Sequence, residues 1–366
     1  MAHGGGGQPD TVKTGPGPVG AAAPEGYRRA PIWIREIVMP HSLPQRPLGR
    51  SGINVSAVGL GCMSFSGVYG QADDAASIAL IHEALDRGVT LLDSSDAYGK
   101  GHNEQLLGRA LKGRRSGVVL ATKFGNVGGT KVADGRPEFV ISSCDASLQR
   151  LGVDVIDLYY AHRIDPTVPI EETVGAMGRL VEQGKVRALG LSEASPKTIT
   201  RAHKEHPIAA VQNEFSLLYR EQGDETRQTT RELGISFVAY APLGRGLLTS
   251  DIVEPTTLTE GDTRKRHPRY AKDNLDHNRA LTARVEAIAK RKGCTPAQLA
   301  LAWVLAQGDD VIPIPGTKRK ERMLENLGAL EVTLSADDLA EIAEAVPAGA
   351  VKGTRYPQGQ MATVYI

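Results

Sequence analysis

From residue 55 onward, short apolar runs alternate with amphipathic segments, and this alternation restricts the fold more than any other feature of the sequence. Most of the runs are rich in Val, Ile and Leu, as expected of parallel strands that are buried on both faces. The predicted strands are 55–59, 89–93, 118–122, 155–160, 186–191, 209–212, 235–240 and 311–314. Eight strands that alternate with helices are typical of a closed (β/α)8 TIM barrel.

Amphipathic segments with helical spacing lie between and after these strands. They are 74–87, 103–111, 138–151, 170–183, 196–206, 222–233, 281–292, 296–307 and 319–330. Thr295, followed by Pro296 and Gln298, is the pattern of a capped helix start. An open, doubly wound sheet is the alternative fold, but the Gly-Leu-Gly turn at 59–61 lacks the GxGxxG pattern of such sheets. The barrel is therefore favoured.

Two long segments show neither helical nor strand spacing. Residues 1–45 hold a glycine run and scattered prolines, and they predict a flexible extension ahead of a barrel domain at 46–366, with Met39 as an alternative start. Residues 46–54 predict a small hairpin that caps the bottom of the barrel. From Gly244 to about His277 no element is predicted, and a loop of that length in a compact domain is usually functional or disordered. We expect it to be a lid.

The composition excludes several classes of partner. The chain of 366 residues has 43 basic and 42 acidic side chains, so its formal net charge of +1 gives no reason to expect binding to nucleic acid or to an anionic membrane. The three cysteines are far apart in the sequence, which makes a disulfide scaffold or a cysteine zinc site unexpected. No apolar run approaches the length of a membrane span, so a cytoplasmic protein is expected.

Four chemically capable residues follow the ends of successive predicted strands. Asp93 ends the second strand and Tyr98 lies in the loop after it, while Lys123 and His162 stand at the ends of the third and fourth strands. In (β/α)8 barrels, catalysis takes place at the carboxyl ends of the strands. The sequence therefore predicts that these four side chains share one rim of the barrel.

Each of the four residues has a plainer explanation when it is taken alone: a turn cap for Asp93, a surface cation for Lys123, a structural histidine for His162 and loop packing for Tyr98. Their common position favours a catalytic unit instead. A tyrosine with an ordinary pKa of about 10 is a poor acid at neutral pH, and a neighbouring ammonium group is expected to lower that pKa. The carboxylate would keep the lysine charged, and the histidine would form a hydrogen bond with the substrate oxygen or relay the proton.

From about Leu48 to the carboxyl terminus, the sequence resembles the aldo-keto reductase family, most of all its bacterial and plant-type members. The motifs that carry the resemblance are DSSDAYG from Asp93, ATKFG from Ala121, DLYYAHRID from Asp157, VQNEFS from Val211, AYAPLGRGLL from Ala239 and PIPGTKRKERMLENLGA from Pro313. The resemblance implies NADP(H)-dependent hydride transfer to an aldehyde or ketone without a metal. It makes Tyr98 the general acid, assisted by Lys123, Asp93 and His162.

The resemblance also implies a set of cofactor-binding residues. Ser192 and Gln212 match the residues that hold the nicotinamide carboxamide, and Tyr240 matches the tyrosine that stacks on the ring. The matches to the pyrophosphate and adenosine segments are Leu243, Gly244, Arg245, Gly246, Gly316, Thr317, Lys318, Arg319, Arg322, Glu325 and Asn326. Arg322 would meet the adenine or the 2′-phosphate, unless 318–322 is only a solvated basic helix start. The family often has Asn in place of Glu193, whose role is therefore left open.

The substrate-binding walls are expected to include Phe65, Tyr69, Phe124 and Arg163, together with the long loop and the tail near 355–357. Which carbonyl compound would fit is not predicted. Two other functions stay open. Potassium-channel β subunits resemble this family and act mainly as cofactor-retaining binding partners, and turnover of simple aldehydes would separate them from an enzyme. A metal-dependent barrel hydrolase using Asp93 and His162 would need further ligands where Lys123 and Tyr240 stand.

Overall fold

The structure is a computed structural model that describes residues 1, 4–5, 42–127 and 133–366. Most of the predicted extension, including the alternative start at Met39, lies outside the described residues. The unit that contains the barrel runs from Ile37 to Ile366. Within it, Leu43 is buried in the core and Gln45 belongs to the first strand, so the folded part begins ahead of the predicted boundary at residue 46.

Eight parallel strands form one sheet in which each strand pairs with its neighbours in the sequence. Two backbone hydrogen bonds join the first strand to the last, because the amide of Gly59 donates to Pro313 at 3.0 Å and that of Gly61 to Pro315 at 3.2 Å. The predicted (β/α)8 fold is thereby confirmed. The strands are β3 (Leu60–Gly61), β4 (Leu91–Asp93), β5 (Val119–Phe124), β6 (Ile156–Ala161), β7 (Val186–Ser192), β8 (Ile208–Glu214), β9 (Ser236–Tyr240) and β10 (Val311–Pro313).

Helices surround the sheet, and most of them lie within one or two residues of the predicted bounds. They are α1 (Asp74–Asp86), α2 (His102–Leu111), α3 (Pro137–Leu151), α4 (Ile170–Glu182), α5 (Pro196–Glu205), α6 (Glu221–Leu233), α7 (Lys272–Lys292), α8 (Pro296–Leu305), α9 (Lys320–Leu327), α10 (Ala336–Ala345) and α11 (Gln358–Met361). The predicted cap of α8 is present, because Thr295 and Gln298 each accept a hydrogen bond from the other's backbone amide. This cap satisfies amides that the first turn leaves free.

A hairpin precedes the barrel, and here the prediction of the first strand was wrong. The hairpin pairs β1 (Gln45–Pro47) with β2 (Asn54–Ser56), so residues 55–56 belong to the hairpin and not to the first barrel strand, which is Leu60–Gly61. The apolar side chains of the hairpin, Leu48, Ile53 and Val55, are buried against residues inside the barrel. These side chains are apolar because they close the barrel at the amino-terminal end of its strands. Their hydrophobicity therefore does not indicate a strand of the barrel sheet.

The long segment after β9 was also predicted wrongly as structureless. It contains four short 3-10 helices, Gly244–Gly246, Pro255–Thr257, Thr263–Arg266 and Pro268–Tyr270, and α7 begins nine residues before its predicted start. The segment contains two buried basic residues, Arg269 and His267. A buried charge needs a partner, and Arg269 has one in Glu214 at 2.7 Å, which helps to give the segment a defined structure.

Candidate active site

The four predicted catalytic residues meet at the carboxyl ends of β4, β5 and β6. The Lys123 ammonium lies 2.5 Å from Asp93 Oδ1 and 3.5 Å from the Tyr98 hydroxyl, and it also donates to the carbonyl of Ser94 at 2.7 Å. The rings of Tyr98 and His162 pack edge to face with centroids 5.8 Å apart. The chain therefore brings an ammonium, a carboxylate, a phenol and an imidazole together at one rim.

Lys123 is fully buried, and its neighbours keep it charged. Burial by itself lowers the pKa of a lysine, but the carboxylate of Asp93 and the phenol of Tyr98 outweigh it and raise the pKa of Lys123 above its ordinary value. A buried ammonium is tolerated only when it is paired and hydrogen-bonded. Asp93 has a second partner, because Gln212 Nε2 donates to Asp93 Oδ2 at 2.7 Å.

The pKa of Tyr98 moves in the opposite direction to the one expected from the sequence. Burial raises the pKa of Tyr98, and the positive charge of Lys123 only reduces that rise. The phenol is therefore fully protonated near neutral pH. In that state it is a proton donor, and the nearby ammonium can stabilise the phenolate left by proton transfer.

His162 is held as a neutral imidazole. Its Nδ1 lies 2.9 Å from the hydroxyl of Ser95. Burial, together with the positive charges of Arg163 and Lys123, lowers the pKa of His162 well below its ordinary value. A neutral ring can donate one hydrogen bond and accept another, so His162 is suited to hydrogen bonding with a polar ligand atom at this rim.

A cavity of about 880 Å³ opens above these residues. Asp93, Tyr98 and His162 line it, whereas Lys123 lies beneath the lining. The other predicted site residues in the lining are Tyr69, Arg163, Ser192, Gln212, Tyr240, Leu243, Arg245, Gly246, Gly316, Thr317, Lys318, Arg319, Arg322, Glu325 and Asn326. This volume is within the range of small-molecule and cofactor pockets, about 300–1,000 Å³.

Two predicted substrate-binding residues lie in the core instead of the cavity. Phe124 is buried and stacks on Tyr159 with ring centroids 5.0 Å apart, and Phe65 is buried in the same hydrophobic cluster. Successive side chains of a strand point to opposite faces. Because Lys123 points to the active-site rim, Phe124 must point towards the helices, and the prediction of these two residues as pocket walls was wrong.

Gly244 is also absent from the cavity lining, although its neighbours on both sides are present. Its backbone has φ of 57°, and a Cβ atom there would lie 2.6 Å from Leu218 Cδ1. Glycine is the residue that accepts this conformation without strain. Gly244 thus shapes the turn that presents Leu243 and Arg245 to the cavity.

The basic residues at the far end of the cavity have protein partners. Arg322 is paired with Glu325 at 2.5 Å and with Asp251, and Arg319 lies 3.7 Å from Asp251. Lys318 donates to three carbonyl groups in 69–71, so that its charge ties this loop to the start of α9. Asp251 lines the cavity and was missed in the sequence, because it lies in the segment where no element was predicted.

Glu193 belongs to a buried network that the sequence did not reveal. Its carboxylate forms two hydrogen bonds with Arg355, at 2.8 and 2.9 Å, and accepts a third from the Tyr240 hydroxyl at 2.7 Å. Its backbone carbonyl accepts from the amides of Tyr365 and Ile366. The residue therefore fastens the carboxyl-terminal tail to the end of β7, and its side chain is fully engaged there.

A second buried carboxylate orders the long segment after β9. Glu214 pairs with Arg245 at 3.0 Å and with Arg269 at 2.7 Å. Burial raises the pKa of Glu214, but the two guanidinium groups outweigh it and hold that pKa below its ordinary value. Arg245 also lines the cavity, so this ion pair fixes part of the cavity wall.

Sequence and structure comparisons agree with this architecture. The sequence profile of the Aldo/keto reductase family matches residues 57–347, and the chain belongs to that family. Members of the family generally use nicotinamide cofactors, and membership supports an oxidoreductase that acts on small carbonyl compounds. Within residues 42–127 and 133–366, no cluster of three or more His, Cys, Asp or Glu side chains is arranged to hold a metal ion, and no helix is long and apolar enough to span a membrane.

Three relatives illustrate the similarity. A probable aldo-keto reductase 1 of Glycine max is 49% identical over 318 residues, which cover 85% of this chain and 91% of that protein. A glycerol dehydrogenase from Gluconobacter oxydans has 28% identity and a TM-score of 0.74, over 82% of this chain and 94% of that one. The holo form of an aldo-keto reductase from Bacillus halodurans has 29% identity and a TM-score of 0.68, over 86% and 99%.

Proposed function

We propose that the protein is an NADP(H)-dependent reductase of aldehydes or ketones in which Tyr98 is the general acid. The observation that carries the proposal is the buried contact of Lys123 with both Asp93 and Tyr98 at the floor of a large cavity. Bound NADPH would supply a hydride to the carbonyl carbon. Tyr98 would then donate its proton to the carbonyl oxygen, and Lys123 would stabilise the phenolate.

His162 and Asp93 have supporting roles in this proposal. The neutral imidazole of His162 would hydrogen-bond the carbonyl oxygen beside Tyr98 and so orient the substrate. Asp93 keeps Lys123 charged and in place. Because the lysine is positioned before the reaction, little reorganisation is needed when charge develops on the tyrosine oxygen.

The rest of the cavity has groups that suit a dinucleotide. Ser192 and Gln212 would hold the nicotinamide carboxamide, and Tyr240 would pack on the ring. Leu243, Arg245 and Gly246 would surround the pyrophosphate, and Gly244 would shape the turn that holds them. The proposed adenosine site consists of Gly316, Thr317, Lys318, Arg319, Arg322, Glu325 and Asn326.

One observation at the adenosine end supports this assignment. Among the described residues, Glu325 Oε1 is a buried acceptor without a hydrogen-bond partner. A buried acceptor left unsatisfied is costly, and the amino group of adenine is a donor of suitable chemistry. The positive charges of Lys318, Arg319 and Arg322 in the same lining favour the 2′-phosphate of NADPH.

The test is reduction of a panel of aldehydes and ketones by the purified full chain, followed by the absorbance of NADPH and, separately, of NADH. We expect turnover with NADPH, and we expect Tyr98→Phe to lower it by at least about 10²-fold, the scale of general acid catalysis. Fluorescence titration should show unchanged NADPH binding by this variant. Normal turnover by Tyr98→Phe would refute the assignment of the acid, and tight NADPH binding without any turnover would favour a regulatory binding protein.

A further inference from the structure

We propose that Arg163 makes the catalytic end of the cavity a binding site for carbonyl substrates that carry a carboxylate. This inference rests on the proposed function and specifies its substrate class. Arg163 follows His162 directly and lines the cavity together with His162 and Tyr98. Its Nη1 donates to the carbonyl oxygen of His162 at 2.8 Å, which holds the guanidinium beside the catalytic residues.

Arg163 differs in its partners from the arginines that are buried at this end of the barrel. Arg245 and Arg269 share the carboxylate of Glu214, and Arg355 is paired with Glu193. Within residues 42–127 and 133–366, Arg163 has no carboxylate at ion-pair distance. Its hydrogen bonds go to a backbone carbonyl and, at 3.4 Å, to the hydroxyl of Tyr356.

An arginine has five N–H donors, and these two bonds leave several of them for a ligand. A partly buried cation without a counter-ion has lost part of its hydration, and these two neutral acceptors compensate for that loss less than a carboxylate would. A carboxylate in the cavity would replace that hydration, because a guanidinium and a carboxylate form paired, charge-assisted hydrogen bonds. The pKa of Tyr356 also indicates a positive electrostatic potential at this place. Burial by itself raises the pKa of Tyr356, but the charges of Arg245 and Arg163 outweigh burial and lower that pKa below its ordinary value.

The carboxyl-terminal tail fixes where this guanidinium lies. Tyr356, the neighbour of Arg163, has its hydroxyl 3.0 Å from the hydroxyl of Tyr240. The preceding residue, Arg355, is fastened to Glu193. Arg163 is therefore positioned before a ligand binds, which reduces the entropy lost on binding.

Two aldehydes that differ mainly in charge test the proposal: 4-formylbenzoate and its methyl ester. We expect the full chain to reduce the carboxylate with a kcat/KM at least about tenfold higher, the effect of one charge-assisted contact. Arg163→Gln should abolish that preference, because it should slow reduction of the carboxylate more than reduction of the ester. Arg163→Lys, the matched control, retains the charge and should still prefer the carboxylate.

A purely structural role for Arg163 predicts a different result, namely equal losses for both aldehydes as Tyr356 loses its neighbour. That result, or the absence of any preference in the unaltered protein, would overturn the proposal. Titration of the NADP⁺-loaded protein with benzoate and benzamide tests the anion site without turnover. If neither aldehyde is reduced, the proposed function is decided separately by the wider panel of aldehydes and ketones. Tighter binding of benzoate that is lost in Arg163→Gln would still support the anion site, and equal binding would refute it.

Discussion

The two ends of the cavity are built differently. At the catalytic end, the Lys123 and Asp93 side chains are 0% and 4% exposed and come from neighbouring strands of the barrel. At the far end, which we propose to bind the 2′-phosphate and call the phosphate end, Arg319 and Asp251 are 62% and 60% exposed and come from a helix start and a loop. Contacts between buried charges are strong and costly to break, whereas exposed ion pairs are weak and screened by salt. We therefore expect the catalytic end to be rigid and the phosphate end to exchange its protein partners for a ligand.

Lys123→Met should have the largest effect, because it removes the group that stabilises the tyrosine phenolate and leaves Asp93 buried without its cation. We expect turnover to fall by at least about 10²-fold. We also expect the free energy of unfolding to fall by about 3–5 kcal/mol, the usual cost of removing one partner of a buried ion pair. Steady-state kinetics and denaturant unfolding measure the two effects.

The double variant Lys123→Met/Asp93→Asn separates these two losses. It removes the unpaired charge, so most of the stability should return while turnover stays low. Recovery of turnover together with stability would mean that Lys123 acts only through folding.

Glu193→Gln should destabilise the protein by a similar amount, because it leaves Arg355 buried without a counter-ion. We expect a loss of about 3–5 kcal/mol in the free energy of unfolding, with a raised KM as the tail with Tyr356 loosens. Glu171→Gln is the matched control, since it breaks an exposed pair with Arg201 and should leave stability nearly unchanged. Equal losses in the two variants would contradict the role assigned to burial.

The difference between the two ends also explains what the sequence could and could not predict. Asp93, Tyr98, Lys123 and His162 were found because each follows the end of an apolar run, and parallel strands bring such positions to one rim. The buried position of Phe124 could also be predicted from the sequence, because successive residues of a strand point to opposite faces and Phe124 follows Lys123. In contrast, Glu193 and Arg355 are 162 positions apart, and no local pattern shows that they meet.

The fold was predicted for a related reason. The predicted bounds of most helices lie within one or two residues of the observed ones, because caps and apolar spacing are local signals. The segment from Gly244 was missed, because its order comes from distant partners such as Glu214, which pairs with Arg245, and the carbonyl of Val68, which accepts from Thr263. Residues 55–56 were assigned to the wrong element, because a hairpin strand that is buried against the barrel interior is as apolar as a strand of the barrel sheet.

At the phosphate end, Arg322→Gln should weaken NADPH binding by roughly ten- to a hundredfold and leave NADH binding nearly unchanged. The expected loss corresponds to one charge-assisted contact with the 2′-phosphate, about 1.5–3 kcal/mol. NADH has a neutral hydroxyl at that position. Fluorescence titration with both cofactors measures the difference, and equal losses would mean that Arg322 holds the adenine or Glu325.

Asp251→Asn should have the smallest effect of these variants, and it should tighten NADPH binding. Asp251 pairs with Arg322 and lies near Arg319, so it competes with the 2′-phosphate for both guanidinium groups. Asp251 is 60% exposed, although Arg322 is only 16% exposed. An ion pair that is open to solvent is worth about 0.2–1 kcal/mol, and its removal should tighten NADPH binding by up to about fivefold. The gain should shrink as ionic strength rises and should vanish in an Arg322→Gln background. Weaker NADPH binding by Asp251→Asn would show instead that the carboxylate orients the arginines for the phosphate, and the phosphate end would then be as preorganised as the catalytic end.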